Sequence, residues 1–243
     1  MLDLETSGLP EDERHAICEI GWVDLQTRET YLPGEKRVDY VIGDPRSYFV
    51  NPGHSIPPRI RAVHHISDRD VAAAMPPAQA VALLLKDLGP DDVLCAHKAA
   101  FEQAFIDAGA RPWICTWKTS LRAWPALKSH SNQALRYELG LDEEMDFVPD
   151  QAMPPHRSLP DAYVTAFILR RLLALRPIER LIEISAEPGL LSTITFGTKH
   201  KNETYKAVAE SDPSYLTWII DKSDLDADTK FSAGFWLGKR TAA

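Results

Sequence analysis

The chain has 243 residues, 44% of them hydrophobic and 26% charged, which is typical of a soluble globular protein with room for one sizeable domain, with or without a small appendage. Its net charge of −8 disfavours nonspecific binding of nucleic-acid phosphates over the whole surface, although bound metal ions would supply local positive charge. No apolar stretch approaches the roughly 20 residues of a membrane span. We therefore expect no membrane association, and the N-terminus shows no signal-peptide pattern.

The cysteines exclude a disulfide-rich class. Cys18, Cys95 and Cys115 are an odd number without C-x-x-C spacing, and each lies in an apolar, strand-like run. We expect buried free thiols, which favours a reducing cytoplasm.

Predicted strands dominate the first third of the chain. The opening run MLDLETSGL predicts a short strand that ends at a Ser-Gly turn, and 17–25 and 40–50 are predicted as further strands. The polar stretch 27–36 is predicted as a turn-rich link. Short helical turns and a loop are expected over the proline-punctuated stretch 57–70.

Strands and helices alternate in the middle of the chain. Apolar spacing predicts a helix over 78–88, ended by a Gly-Pro breaker, and VLCAH then reads as a short buried strand. The other predicted elements are helices at 99–108, 132–139 and 160–175 and a strand at 113–116. This order predicts an α/β fold with helices packed on a mixed sheet.

The pattern changes near residue 187, after one more short helix. A new unit begins beyond Pro188-Gly189, with the strand-like TITFG, the basic cluster Lys199-His200-Lys201 and two helical stretches rich in aromatic residues. We expect a large domain over 1–180 and a small α+β domain over 190–243.

Asp3 and Glu5 are the first chemically informative residues. Side chains two positions apart in a strand share a face, so both carboxylates project together. Like charges that close repel unless a cation lies between them, and Mg²⁺ prefers carboxylate oxygens. A D-x-E pair alone is a weak signal, because chance supplies such pairs in acidic chains.

Two further acids complete the set. Glu102 is predicted one turn into a helix that follows a buried strand, where α/β sheets present groups to ligands. Asp161 falls in the first turn of a long apolar helix, and His156 precedes that helix on a loop. Each has an ordinary alternative: a solvated helix-face acid, a helix-capping acid and a surface histidine.

Three motifs in order resemble those of the DEDDh exonuclease family: DLETSG, AHKAAFE and HRSLPD. The intervening NPGHSIPPRIRAVHHISDRDV, CTWKTSLRAWP and SNQALRYELGL are also similar to family stretches, and the tail TFGTKHKNETYKAVAESDPSYLTWIID resembles that of exodeoxyribonuclease X-like proteins. The resemblance covers essentially the whole chain. It implies a ribonuclease H-like fold.

The resemblance also implies a site. It places a pair of Mg²⁺ or Mn²⁺ ions among Asp3, Glu5, Glu102 and Asp161, with His156 as the general base that takes a proton from the attacking water. Thr6, Ser7, Gly8 and Leu9, together with His97 and Lys98, would contact the substrate.

The chain departs from the family pattern in two places. In its second motif, Lys98 replaces the usual Asn and Glu102 the usual Asp; Lys98 would pair with a substrate phosphate or point to solvent. In addition, only Met1 and Leu2 precede Asp3, so either the start of the chain has been assigned too late or the strand that carries the first two acids is short and anchors the first metal site less well.

The function expected from the resemblance is metal-dependent 3′–5′ hydrolysis of DNA, on single strands or 3′ ends, with release of nucleoside 5′-monophosphates in DNA repair. An exoribonuclease acting on short RNA and a proofreading-type polymerase subunit are alternatives, because the same four acids serve either sugar. An inactive nucleic-acid-binding module is a third, since fold does not fix function.

Overall fold

The computed structural model describes residues 1–12, 14–32 and 35–241. An antiparallel sheet and a parallel strand pair lie at its centre. The antiparallel sheet has the order β1 (Leu2–Thr6), β2 (Ile17–Trp22), β5 (Arg46–Phe49). The parallel pair is β6 (Leu94–Ala96) with β7 (Trp113–Cys115), and β6 lies next to β1. Both strand senses are present, as the predicted mixed α/β fold requires.

The prediction of a turn-rich link over 27–36 was wrong. The chain there forms an antiparallel ribbon of β3 (Leu25–Leu32) and β4 (Glu35–Ile42), which pair from Leu25↔Ile42 to Leu32↔Glu35. Tyr31 and Val38 are exposed on it. A ribbon that faces solvent lacks the apolar alternation of a half-buried strand, so its polar sequence resembles a loop.

Helices surround the strands. One helix, α7 (Ser158–Leu173), is buried along most of its length, with Val164, Phe167 and Ile168 fully inaccessible. The others are α1 (Pro58–His64), α2 (Asp68–Val71), α3 (Pro77–Leu85), α4 (Ala100–Phe105), α5 (Thr116–Ala123), α6 (Asn132–Glu138), α8 (Ile178–Ala186), α9 (Tyr205–Ser211), α10 (Pro213–Lys222) and α11 (Ala227–Thr241). Within the described part of the chain, no helix combines the length and apolarity that crossing a membrane requires.

Two apolar cores lie on opposite sides of β1. Leu2 and Leu4 pack with Ala80 and Leu84 of α3, whereas the core around Phe167 of α7 lies on the other side. Asp3, the residue between the two leucines, therefore faces α7. This alternation places Asp3 on the same side of the sheet as the helix that carries Asp161.

The C-terminal residues have a core of their own. Tyr205, Leu216 and Ile219 are fully buried in a cluster built from α9, α10 and α11. The strand expected at TITFG reduces to one isolated bridge, Thr193↔Thr204. Since no neighbouring strand extends that pair, this part of the structure is helical rather than α+β.

A tight junction joins the C-terminal helices to α5. Gly189 donates its N–H to Asp228 Oδ1 at 2.7 Å, and a Cβ at Gly189 would lie only 2.8 Å from the Trp117 ring. Arg122 of α5 forms an ion pair with Glu187 and donates to the Pro188 carbonyl. The segment 187–189 is thus held from both sides.

The first turn of α7 lies directly on β2. Gly21 faces the Ser158–Leu159 peptide so closely that a Cβ would approach Leu159 N and Ser158 C to 2.6 Å. Gly21 is also the register partner of Asp3 on β1. A glycine at this position therefore fixes how near the helix that carries Asp161 comes to the strand that carries Asp3.

Gly21→Ala is predicted to destabilise the fold, because the new methyl group meets backbone atoms that cannot rotate away. We expect a loss of about 1–3 kcal/mol in the free energy of unfolding, typical of overpacking, measured by denaturant titration. Gly234→Ala is the control, since the nearest atom to its Cβ is Ile220 Cδ1 at 4.0 Å within a helix. Equal stability of Gly21→Ala and the parent protein would contradict this account of the packing.

Candidate active site

Strand β1 presents two carboxylates on one face. Leu2, Leu4 and Thr6 are buried on the opposite face, while Asp3 and Glu5 are only partly buried. The strand pairs with β2 along its whole length, and the Val23 N–H donates to the Met1 carbonyl at 2.8 Å. The short first strand is thus anchored from its first residue. Its register shifts directly after Glu5, as in the bulges that often redirect a chain beside active sites.

Asp161 joins this pair from the first turn of α7. One carboxylate oxygen from each of Asp3, Glu5 and Asp161 lies within 4.8 Å of the other two. Asp161 is held by two donors: Gln133 Nε2 donates to its Oδ1 at 3.1 Å, and the His156 backbone N–H donates to its Oδ2 at 2.9 Å.

Glu102 lies in the first turn of α4 and is only 3% exposed. Its Oε2 has no hydrogen-bond partner among the described residues, which is unusual for a buried carboxyl oxygen. Its charge acts on Asp3, so the two groups lie close together. Such an oxygen needs a proton or a cation, because nothing else near it compensates for its burial.

Burial raises the pKa values of all four acids, and repulsion by neighbouring acids adds to it for Asp3 and Glu5. Desolvation is the largest cause for each, and for Asp3 the charges of Glu102, Asp161 and Glu5 add to it. The pKa of Glu5 rises to about 8, and that of Glu102 also reaches about 8. Without a cation, the site therefore retains protons at neutral pH.

This donor set fits divalent metal ions. Hard cations such as Mg²⁺ and Mn²⁺ take carboxylate oxygens, and the ligand atoms of Asp3, Glu5 and Asp161 are already close enough to share one. The unpartnered oxygen of Glu102 supplies a further ligand. A bound cation would replace the missing hydrogen bond and cancel the repulsion that raises the pKa values.

His156 lies at the edge of this cluster. It is exposed, and its backbone adopts the left-handed region with φ of 60°, which is uncommon for a residue other than glycine. Its backbone N–H bonds to Asp161, so the residue is tied to the acids through its main chain. Its role as general base remains a prediction.

The turn after Glu5 is internally bonded. Thr6 Oγ1 donates to the Gly8 carbonyl at 2.6 Å, and Ser7 Oγ lies 3.3 Å from both His15 Nδ1 and His54 Nε2. The His15 ring covers the Gly8 α-carbon so closely that a Cβ there would lie 2.2 Å from the ring. Next to this fixed turn, Leu9 is 64% exposed and free to meet a ligand. Substrate contact by 6–9 remains a prediction.

His97 has a structural role that the sequence did not reveal. Its Nδ1 lies 2.9 Å from Thr116 Oγ1 and its Nε2 lies 2.8 Å from the His130 carbonyl, so both ring nitrogens are engaged inside the protein. Contact between His97 and substrate remains a prediction. Lys98 is exposed, with its Nζ 5.7 Å from the centre of the Trp117 ring.

Sequence reasoning assigned no role to three residues around the site: Gln133, Glu19 and Arg157. Gln133, within the stretch SNQALRYELGL, donates to Asp161. Glu19 of β2 is 3% exposed and accepts hydrogen bonds from the Arg157 side chain and from the Ser158 N–H. For Glu19 the sequence did contain a signal: it is an acid in the middle of ICEIGW, where every other residue is apolar or glycine.

The basic cluster of the C-terminal part is largely paired within the chain. Lys199 Nζ lies 2.6 Å from Asp212 Oδ2, and His200 contacts both Asp212 and Glu203. The side chain of Lys201 is exposed.

Comparison with known proteins assigns the chain to a family. The model of the exonuclease family RNase_T matches residues 1–169, which include all four acids and His156. The chain belongs to this exonuclease family. It is therefore a nuclease, in agreement with the resemblance of its three motifs.

Similarity to individual proteins covers more of the chain than the family model does. Exodeoxyribonuclease 10 of Escherichia coli strain K12 is 30% identical over 230 residues, 92% of this chain and 91% of that protein. A DNA polymerase III subunit epsilon-like protein of Rhodobacter capsulatus is 31% identical over 181 residues, 71% of this chain and 23% of that protein.

Solved structures confirm the fold. Exonuclease X in complex with 5′ overhanging duplex DNA superposes with a TM-score of 0.58 at 27% identity, covering 76% of this chain and 98% of that chain. The nuclease domain of 3′hExo, a DEDDh family member bound to rAMP, gives a TM-score of 0.50 at 18% identity, over 71% of this chain and 90% of that chain. The ribonuclease H-like architecture expected from the motifs is confirmed.

The metal-free exonuclease is predicted to lose stability as the pH rises above about 6.5. Glu5 and Glu102 keep their protons in the folded chain until about 8, whereas the unfolded chain releases them near 4.5. Between these two values, about 4.5 and about 8, the two acids therefore lower the free energy of unfolding as the pH rises. Buried His97, whose pKa is lowered to about 4, acts in the opposite direction only below its ordinary value of 6.5.

Melting temperatures in EDTA between about pH 6.5 and pH 8 measure this effect. Glu5→Gln should flatten the pH dependence, Glu11→Gln on the exposed turn should leave it unchanged, and Mn²⁺ should raise the melting temperature most at high pH. A pH-independent melting temperature in EDTA would show that the acids are not buried against one another.

Proposed function

We propose that this exonuclease hydrolyses DNA from the 3′ end and releases nucleoside 5′-monophosphates. The convergence of Asp3, Glu5 and Asp161, with their ligand atoms within 4.8 Å, is the observation that carries the proposal. The relative that spans 92% of the chain is an exodeoxyribonuclease, which supports DNA as the substrate. Removal of nucleotides from 3′ ends is a step that repair requires, and a role in DNA repair is the wider part of the proposal.

Asp3, Glu5, Glu102 and Asp161 would hold a pair of Mg²⁺ or Mn²⁺ ions. Asp3 has the other three acids within electrostatic range, so it would be the central residue of the ligand set. Bound ions of this kind activate water at neutral pH and stabilise the leaving 3′-oxygen. The chain contributes the ordered ligands and excludes bulk water from Glu102.

His156 would remove the proton from the attacking water. Histidine is the side chain that most often serves as a general base in enzymes, and the exposure of His156 leaves its ring free to release that proton to solvent. Asp161, bonded to the His156 main chain, holds the residue at the edge of the acid cluster. Base catalysis of this kind is typically worth about 10²–10⁴-fold in rate.

The turn over 6–9 would receive the terminal nucleotide. Its backbone is fixed by the Thr6–Gly8 hydrogen bond and by His15 packed on Gly8, so it is shaped before substrate arrives. Exposed Leu9 offers an apolar surface on which a base can rest. Lys98, within the second motif, is exposed and available to a phosphate.

The domain boundaries and the location of the protein belong to the same proposal. The separate core of Tyr205, Leu216 and Ile219 supports a nuclease domain over 1–180 and a small exodeoxyribonuclease X-like domain over 190–243. Free, buried Cys18 and Cys95 are compatible with a reducing cytoplasm.

The substrate and polarity are tested with matched DNA and RNA strands, labelled at either end, in the presence of Mg²⁺. We expect the 3′ label on DNA to be released first as a mononucleotide, while the 5′ label remains on progressively shorter strands. EDTA should stop the reaction. Release from the 5′ end, or faster cleavage of the RNA strand, would contradict the proposed polarity or substrate.

Two variants separate the metal ligands from the base. Asp3→Ala should lose both Mn²⁺ binding and activity, whereas His156→Ala should bind Mn²⁺ normally and lose about 10²–10⁴-fold in kcat. Asp221→Ala, an exposed acid on α10, is the control for charge removal. Full metal-dependent activity in Asp3→Ala would contradict the site assignment.

A further inference from the structure

Glu19 is a buried acid that the proposed reaction leaves without a role. It lies on β2 directly opposite Glu5 of β1, and Phe49 of β5 is its partner on the other side. These three side chains therefore form a row across the sheet, on the face that carries the acid cluster. Glu19 is 3% exposed, and a buried carboxylate persists only where it is paired.

The partners of Glu19 come from the segment around His156. Arg157 Nε donates to Glu19 Oε2 at 3.0 Å and Arg157 Nη2 donates to Oε1 at 2.5 Å, while the Ser158 N–H donates to Oε2 at 2.9 Å. Both carboxylate oxygens of Glu19 accept hydrogen bonds, and the acids whose ligand atoms converge within 4.8 Å are Asp3, Glu5 and Asp161. The Arg157 guanidinium also lies 5.3 Å from the centre of the Phe49 ring.

These contacts replace an ordinary helix cap. Arg157 is the N-cap residue of α7, yet its side chain makes no capping bond to the helix. The first helical N–H is instead satisfied by Glu19 from a neighbouring strand, and its negative charge lies at the positive end of the helix. Glu19 thereby fixes the start of α7 on the sheet.

His156 directly precedes this fixed point and is itself strained. A φ of 60° is uncommon for a residue with a side chain, and such a conformation persists only when the surroundings impose it. Here the constraint comes from both sides. The His156 N–H is bonded to Asp161, and the next residue is held by Glu19 through two side-chain hydrogen bonds.

We propose that Glu19 and Arg157 are positioning residues that hold His156 in the orientation that catalysis requires. The inference rests on the proposed role of His156 as the general base. Neither residue touches the reacting atoms: Glu19 is enclosed by Arg157 and Ser158, and acts by fixing the backbone on which the imidazole is carried.

A double-mutant cycle with His156 tests this inference. Glu19→Gln keeps the size of the side chain and weakens the charged pair, and Arg157→Met removes it. We expect each to lower kcat by about 10²-fold with little change in KM and normal Mn²⁺ affinity, as for a small misplacement of a reacting group. In the His156→Ala background, the same changes should cost less than about twofold, because the group that they position is gone.

Arg170→Met is the matched control. Arg170 also lies on α7, pairs with Asp146 at 2.5 Å and covers the Phe167 ring, but it lies at the other end of the helix. The Arg170→Met substitution should lower the melting temperature without changing kcat. Should Glu19→Gln fail to fold, Arg157→Lys, which keeps the charge but loses the paired donors, carries the same comparison.

Three outcomes overturn the inference. An equal loss of kcat in the His156 and His156→Ala backgrounds means that the pair acts elsewhere. A raised KM with a shallower salt dependence of DNA binding in Arg157→Met means that Arg157 contacts a phosphate. Full activity in His156→Ala refutes the base assignment itself, a result distinct from both.

Discussion

Repulsion among four carboxylates is the constraint on which the rest of the structure depends. Asp3, Glu5, Glu102 and Asp161 are brought together by one strand, β1, and two helices, α4 and α7, that are distant in sequence. Water solvates an ionised carboxylate better than the protein interior does, so burial raises the pKa of each acid. The fold must supply enough apolar packing elsewhere to hold them there, and a divalent cation relieves the conflict.

The packing of α7 supplies that hold. Its interior surface is fully buried around Phe167, while its first turn is positioned on β2 by Gly21 and by Glu19. The glycine sets the distance between helix and sheet, and the acid sets the position of the helix start. These two contacts determine the positions of Asp161 and His156, so the chemistry at the site depends on residues that bind no ligand.

The acids of the site could be predicted from the sequence because their signals are local. Asp3 and Glu5 follow the two-residue period of a strand, and Asp161 follows a loop and opens an apolar helix, so motif order identified them before any coordinates. Glu19 and Gly21 could not be assigned roles in this way. Their partners lie more than 130 residues away, and only the packing of α7 on β2 reveals them.

Other differences have equally physical causes. The β3–β4 ribbon was missed because it packs against little and its polar residues need no alternation. The His97 ring is engaged by Thr116 and the His130 carbonyl, partners that no local pattern indicates, and its contact with substrate remains a prediction.

Electron paramagnetic resonance of the Mn²⁺-loaded protein tests the four-carboxylate site most directly. Two bound Mn²⁺ ions roughly 4 Å apart are magnetically coupled, so the account predicts two ions per chain and the broadened spectrum of a coupled pair, lost in Asp3→Asn. Two ions with the spectra of isolated Mn²⁺, or a coupled spectrum that survives Asp3→Asn, would contradict it.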